Sequence, residues 1–164
     1  MKVIKAYTDG SCLRNPGIGG YAAILQMDGK ERVFAGYSKN PNETNNRMEL
    51  KAFALAVKFC TDVQKEQCTI QIHTDSQYLV TCWNHNKEWL IDENRANNDI
   101  WIQIIRKCEK YGHKIEFVKI PGHSGIEQNE RADKLAREMA IKARHILYDN
   151  TRQNHNKKHL INER

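Results

Sequence analysis

Apolar residues recur along this chain with two periods, and the switches between them outline a fold. Residues 2–8 alternate loosely and end at Thr8-Asp9-Gly10, as a strand would. Residues 20–27 and 31–38 read as two further strands, with Asp28-Gly29 between them as a tight-turn signal. The opening is therefore an antiparallel meander. After a loop over 39–44 the period lengthens. Met48, Ala52, Leu55 and Phe59 share one stripe, with Phe53, Val57 and Cys60 beside it, which predicts a helix over 47–61 packed on more than one side. Residues 68–74 return to alternation, and the right-handed crossover rule makes this strand parallel to the first. A short helix follows Asp75. Asp99 to Tyr111 carries Trp101, Ile104, Ile105 and Cys108 at helical spacing, residues 114–120 form the last strand, and residues 127–143 the last helix. Beyond 144 the pattern dissolves into Asn, His, Lys and Arg, so a basic, flexible tail over 144–164 is expected to follow a domain of residues 1–143. The predicted class is α/β: a five-stranded mixed sheet, three antiparallel strands then two parallel, flanked by helices.

Length adds that 164 residues suffice for one domain with a core of its own. Apolar content of 40% with 28% charged residues describes a soluble globular protein. No apolar run approaches the ~18 residues of a membrane span, and the start shows no secretory h-region, so a cytoplasmic protein is expected. The five cysteines are odd in number and contain no Cys-x-x-Cys pair. Zinc and disulfide frameworks both fail on that spacing, which leaves reduced thiols. Net charge is +6, and residues 141–164 hold six basic side chains against two acidic ones. The body is only mildly basic and the tail strongly so, which favours a polyanionic partner.

The candidate chemistry rests on Asp9, Glu49, Asp75 and Asp133. Each has a plain structural reading. Asp9-Gly10 can be a turn; Glu49, three residues after Asn46, can complete a capping box; Asp75 can cap the helix after it; Asp133 can pair with Arg137 one turn on. Jointly they read differently. Each sits at a strand end, near a helix start or on a helix face, and adjacent parallel first and fourth strands would put Asp9 beside Asp75. Four converging carboxylates repel one another unless divalent cations neutralise them, which points to a magnesium-dependent phosphoryl-transfer centre.

The strings TDGSCLRNPGIGGYAAIL, TNNRMEL, TDSQYL and GHSGIEQNERADKLA occur in this order. Over residues 1 to about 141 they closely resemble type 1 ribonuclease H, the endonuclease that cuts RNA paired with DNA, and the predicted fold becomes ribonuclease H-like. The resemblance implies two Mg²⁺ ions with substrate bound, Mn²⁺ being a possible substitute. Asp9 would bridge them, with Glu49 and Asp75 toward the attacking water, Asp133 toward the leaving group, and products ending in 5′-phosphate and 3′-hydroxyl. His123 matches a loop histidine that moves protons or aids product release. Asn15, Asn45 and Asn46 match positions that contact the RNA minor groove, and Thr44 and Asn97 a pocket for a DNA-strand phosphate.

Two departures stand out. The loop before Thr44 is longer than in familiar relatives and lacks the arginine usual near that pocket, for which Lys39 is a substitute. Residues 88–101 replace a lysine-rich protrusion and set Arg95 against Asp92, Glu93 and Asp99. Trp101 belongs to a core stripe, whereas Trp89 is the candidate stacking platform for the DNA strand. The expected partner is an RNA–DNA hybrid, handled by a monomer without membrane or obligate protein partner. Two alternatives stay open: a nuclease relaxed toward double-stranded RNA, and a hybrid-binding module without catalysis.

Overall fold

A computed structural model describes residues 1–121 and 125–162. It holds one five-stranded sheet. β1 (Lys2–Cys12) pairs antiparallel with β2 (Gly19–Met27), which pairs antiparallel with β3 (Lys30–Tyr37). On its other side β1 runs parallel to β4 (Cys68–Thr74), and β4 runs parallel to β5 (Lys114–Lys119). The predicted mixed sheet is thus present, with β1 at its centre. Asp28 and Gly29 both take positive φ, 52° and 70°, as a two-residue hairpin turn requires.

Successive strand residues face opposite sides, and the two sides are covered differently. Ile4, Ala6, Ala23, Leu25, Ile70 and Ile72 pack under α1 (Asn45–Val63) and α4 (Asn98–Tyr111). Trp101 lies in this core at 1% exposure, with Phe53 and Trp83 edge-on or stacked around it, so its structural assignment holds. Two short helices, α2 (Gln77–Trp83) and α3 (Lys87–Ile91), complete this layer. The opposite side packs Tyr7, Ile24 and Ile120 against Ala132 of α5 (Glu127–Asn162).

Several local expectations are corrected. Thr44 caps α1, its hydroxyl accepting from the Arg47 amide, so the helix starts at Asn45 and Glu49 belongs to no capping box with Asn46. Ser76, not Asp75, caps α2. The buried face of α1 runs through Met48, Phe53, Ala56, Val57 and Cys60, leaving Leu55 and Phe59 at its margin. The last helix, α5, does not end near residue 143. It continues to Asn162, because nothing between Ala143 and Asn162 is a glycine or proline that would break the ladder.

Cys60, Cys68, Cys82 and Cys108 are buried free thiols and Cys12 is half-buried. Burial pushes the Cys60 and Cys108 thiols up to about 12, well away from the reactive range. Among the described residues no helix is long and apolar enough to cross a membrane.

One contact sets how closely α1 approaches the sheet. A Cβ on Gly10 would lie 2.2 Å from the Met48 carbonyl carbon and 2.3 Å from the Glu49 amide nitrogen. Only a residue without a side chain lets the first turn of α1 rest on the end of β1. Gly10→Ala is therefore expected to cost about 1–3 kcal/mol of stability and to push Glu49 away from Asp9, seen together as a lower thermal midpoint and weaker divalent-cation binding. A variant as stable as the parent with the same cation affinity would show that α1 is not held by this contact.

Candidate active site

β1 and β4 end side by side, the register running through Tyr7 opposite His73. Two residues further on, β1 reaches Asp9, and β4 runs through Thr74 into Asp75. α1 comes in over Gly10 with Glu49 one turn from its start. Asp9, Glu49 and Asp75 each offer an oxygen, all within 4.8 Å of one another. Asp133, on the second turn of α5, lines the same cavity of about 270 Å³ together with Ser11, Asn45, Asn129 and Glu130. All four acids reach one place.

Their surroundings differ. Asp9 is 7% exposed and Glu49 9%, while Asp75 is half-buried. Loss of water pushes the Asp9 carboxyl up to about 7; Glu49 partly counters this, and the charges of Asp75 and Asp133 add to it. Glu49 is raised well above its ordinary range, chiefly by burial and then by the charge of Asp9. Its Oε2 is buried with no hydrogen-bond partner among the described residues. Asp133 pairs with Arg137 at 3.2 Å, as its spacing suggested, without leaving the cavity. An orphaned carboxylate oxygen in an all-oxygen cluster is what a hard divalent cation would satisfy, so the donor set fits Mg²⁺ or Mn²⁺.

Around the acids, hydrogen bonds tie three segments together. Asn45 Oδ1 accepts from the Cys12 amide at 3.0 Å, and Asn15 Oδ1 accepts from the Asn45 amide at 3.2 Å. Gly17 and Glu43 exchange both backbone bonds, at 2.8 and 2.7 Å. The first turn of the chain is thereby locked to the start of α1. Arg47 extends the link: it forks onto Asp99 at 3.0 and 2.7 Å and donates to Asn97 Oδ1 at 3.0 Å. Asn97 takes a left-handed backbone, φ 66°, and donates to the Tyr78 hydroxyl. Lys119 donates to the Asp75 carbonyl at 2.6 Å and steadies the end of β4.

A family model described as RNase H matches residues 1–141. The chain belongs to the RNase H family. Ribonuclease H of Escherichia coli is 41% identical to it over 150 residues, 86% of this chain and 91% of the relative. The ribonuclease H of Shigella boydii matches to the same extent. Among solved structures, LC9-RNase H1, described as a type 1 RNase H with the type 2 active-site motif, superposes with a TM-score of 0.70 at 24% identity, covering 87% of this chain and 74% of its own. The N-terminal RNase H domain of a Mycobacterium tuberculosis protein, solved as a fusion with maltose binding protein, gives 0.66 at 16% identity over 88% and 98%. Both likenesses concern the fold.

Within this RNase H fold the remaining expectations sort by position. Asn15, Asn45 and Asn46 are exposed; Asn45 lines the acid cavity and is bonded to Asn15, and Thr44 and Asn97 are joined through Arg47. Arg47, not Lys39, is the cation at that junction, and the TNNRMEL string already carried it. Trp89 is not an open platform. His85 stacks on it with ring centroids 4.3 Å apart, and the Arg95 guanidinium lies 3.5 Å from its centroid. Two groups that close take up ring surface a stacked base would need. Arg95 is likewise not neutralised as expected, since Asp99 is engaged by Arg47 and Arg95 forms no ion pair among the described residues. Asn129 and Glu130 escaped the sequence reading, although they stand only four and three residues before Asp133. His123 lies outside the described residues. A larger hollow of about 370 Å³ between α1 and α4 offers Arg47, Lys51, Lys58 and Lys107 but no convergent acids.

The raised carboxyls have a stability consequence. Folding lifts the Asp9 and Glu49 proton affinities above those of the unfolded chain, where carboxyls titrate near ~4. Their contribution is present below that value and is lost as pH rises toward about 7. In EDTA the thermal midpoint should fall between about pH 4 and about pH 7.5 and recover on adding Mg²⁺. Asp9→Asn should raise the metal-free midpoint at the upper end of that range, corresponding to about 1–3 kcal/mol. A metal-free midpoint that climbs through this window, or one lowered by the Asp9→Asn change, would mean the cluster is not under charge strain.

Proposed function

We propose that this protein hydrolyses the RNA strand of RNA–DNA hybrids at the Asp9, Glu49, Asp75, Asp133 cavity, leaving 5′-phosphate and 3′-hydroxyl ends. The observation that carries this reading is the convergence of all four acids on one small cavity rimmed by the asparagines of two locked segments. The sequence relatives are named ribonuclease H, which supports the same reading.

Two divalent cations, when bound, would neutralise charge at the attacking and leaving oxygens of the phosphodiester. Asp9, central and the least exposed of the four acids, would hold the position shared between them; Glu49 and Asp75 would hold one side and Asp133 the other. The protein's own work is orientation. Gly10 and the α1 contact fix where Glu49 points, and the Lys119 bond fixes the Asp75 backbone. Asn15, Asn45 and Asn46 present short amides, able to donate and accept, where a 2′-hydroxyl distinguishes the RNA strand.

Thr44 and Asn97, drawn together by Arg47, would receive a phosphate of the DNA strand. Trp89 would act indirectly, by holding Arg95 as a stacked cation toward the backbone rather than by taking a base. We assign His123 to proton traffic during product departure. The Mg²⁺ requirement, the end chemistry and a monomeric, cytoplasmic setting belong to the same proposal.

The test is one labelled RNA strand presented alone, paired with RNA, and paired with DNA, in Mg²⁺ or EDTA. Cutting of the hybrid alone, dependent on metal, is expected, and Asp9→Asn should lower the rate by more than about a thousandfold while hybrid affinity changes little. Binding without cutting by the parent protein would leave a hybrid-binding module; equal cutting of the RNA duplex would sink the specificity for hybrids.

A further inference from the structure

α5 is 36 residues long, about three times an ordinary helix, and its two halves do different things. The sheet-bound half buries Ala132, Ala136, Ala140 and Ala143 at successive turns. Ile146 and Leu147 are half-buried, and from Tyr148 to Lys158 every residue is exposed. At ~1.5 Å per residue, the stretch from Ala143 to Lys158 reaches ~22 Å past the last buried alanine.

Charge divides at the same place. The sheet-bound half mixes signs and forms the ion pairs Arg137–Asp133 and Lys134–Glu138. The distal stretch carries Arg144, Arg152, Lys157 and Lys158 against Asp149 alone, and none of those four cations is in an ion pair among the described residues. A helix exposed on all sides is ordinarily supported by alternating charges one turn apart, and here a single acid, Asp149, stands among the four cations. Between the cations lie Asn150, Thr151, Gln153, Asn154 and Asn156, donors suited to phosphate and sugar oxygens. At about 100° per residue the cations also spread around the axis rather than line one side, and the exposed apolar side chains are few. A membrane-surface helix or a helix-pairing partner needs an apolar stripe, so neither fits.

We propose that the distal part of α5, residues 144–158, is a second duplex-binding element that grips the sugar–phosphate backbone outside the catalytic cavity. The partner is the same hybrid, so the proposal rests on the nuclease reading for its substrate, though not for its charge chemistry. Because the arm is one helix with the segment bearing Asp133, it holds the duplex in a fixed relation to the acids. It supplies basic reach in a chain whose residues 88–101 contain one arginine and no lysine.

The decisive experiment keeps the full chain and changes Arg152→Gln, Lys157→Gln and Lys158→Gln together, all at exposed positions. Hybrid binding is measured in EDTA against salt, on a duplex long enough to run under the arm and on one confined to the cavity; cleavage follows in Mg²⁺. On the long hybrid the slope of log affinity against log salt should fall by about 2, with KM several-fold higher and kcat unchanged. The short hybrid should show no difference. An unchanged slope on the long duplex overturns the proposal, and so does an equal loss on both duplexes, which would place the effect at the cavity. If the parent binds steeply with salt but never cuts, the nuclease reading fails while the slope comparison still decides the arm.

Discussion

Like charges at close range are the constraint on which this structure turns. Three carboxylates share a space in which their oxygens lie within 4.8 Å, and two of the three are nearly dry. Left to themselves they would separate or stay protonated, and the Asp9 and Glu49 carboxyls do hold protons far above their ordinary range. The scaffold must therefore press the acids together against their repulsion. Parallel pairing of β1 and β4 sets two of them, since a sheet register cannot slip without turning every side chain to the other face. The third is set by the absence of a side chain at Gly10, where helix backbone meets strand. Each device is backbone geometry, which yields less than a flexible side chain would.

The second level of organisation lies in the polar links outside the cluster. Asn15, Asn45, Glu43 and Gly17 bind the first turn of the chain to the start of α1, and Arg47 carries the connection on to Asn97 and Asp99 at the start of α4. Segments remote in sequence thus become one rim. Glu43 is its buried keystone at 3% exposure, bonded to Ser38 and 3.6 Å from Arg47. Glu43 belongs to the loop before α1, and it holds Arg47 while Arg47 reaches Asn97 and Asp99. A rim assembled this way presents its amides in a fixed pattern, which suits a distinction resting on single hydroxyl groups.

Much of this was legible in the chain. Alternation and turn signals marked the strands, and the crossover rule made β4 parallel to β1, so Asp9 and Asp75 were expected to meet once the two strands were adjacent, as they are. What escaped has a common cause. Thr44 rather than Asn46 caps α1, and Ser76 rather than Asp75 caps α2, because neighbouring polar residues compete for a cap within a residue or two. Trp89 looked open since its neighbours are polar, yet polar His85 and Arg95 are what cover it. Arg95 looked neutralised since acids surround it in sequence, yet Asp99 turns instead to Arg47, far away along the chain. Side-chain partnership across segments is not written in local composition. The end of α5 was misplaced for the opposite reason: loss of an apolar stripe ends burial, not helical hydrogen bonding.

The acids differ in ways that bear on how the site would fill. Asp9 and Glu49 form the dry floor, while Asp75 and Asp133 face outward, Asp133 with Arg137 at its back. The floor holds its protons above the ordinary carboxyl range, Asp9 up to about 7, so a cation would compete with protons there and its affinity would rise with pH. The outward acids meet water and can exchange it for phosphate oxygens. With few protein oxygens available to two cations, the substrate's own phosphate would have to complete the set. Such a cavity would bind its cations more firmly with a backbone in place. Anything that holds the duplex near the cavity would then raise its occupancy without touching the acids, which is the part proposed for the basic far end of α5.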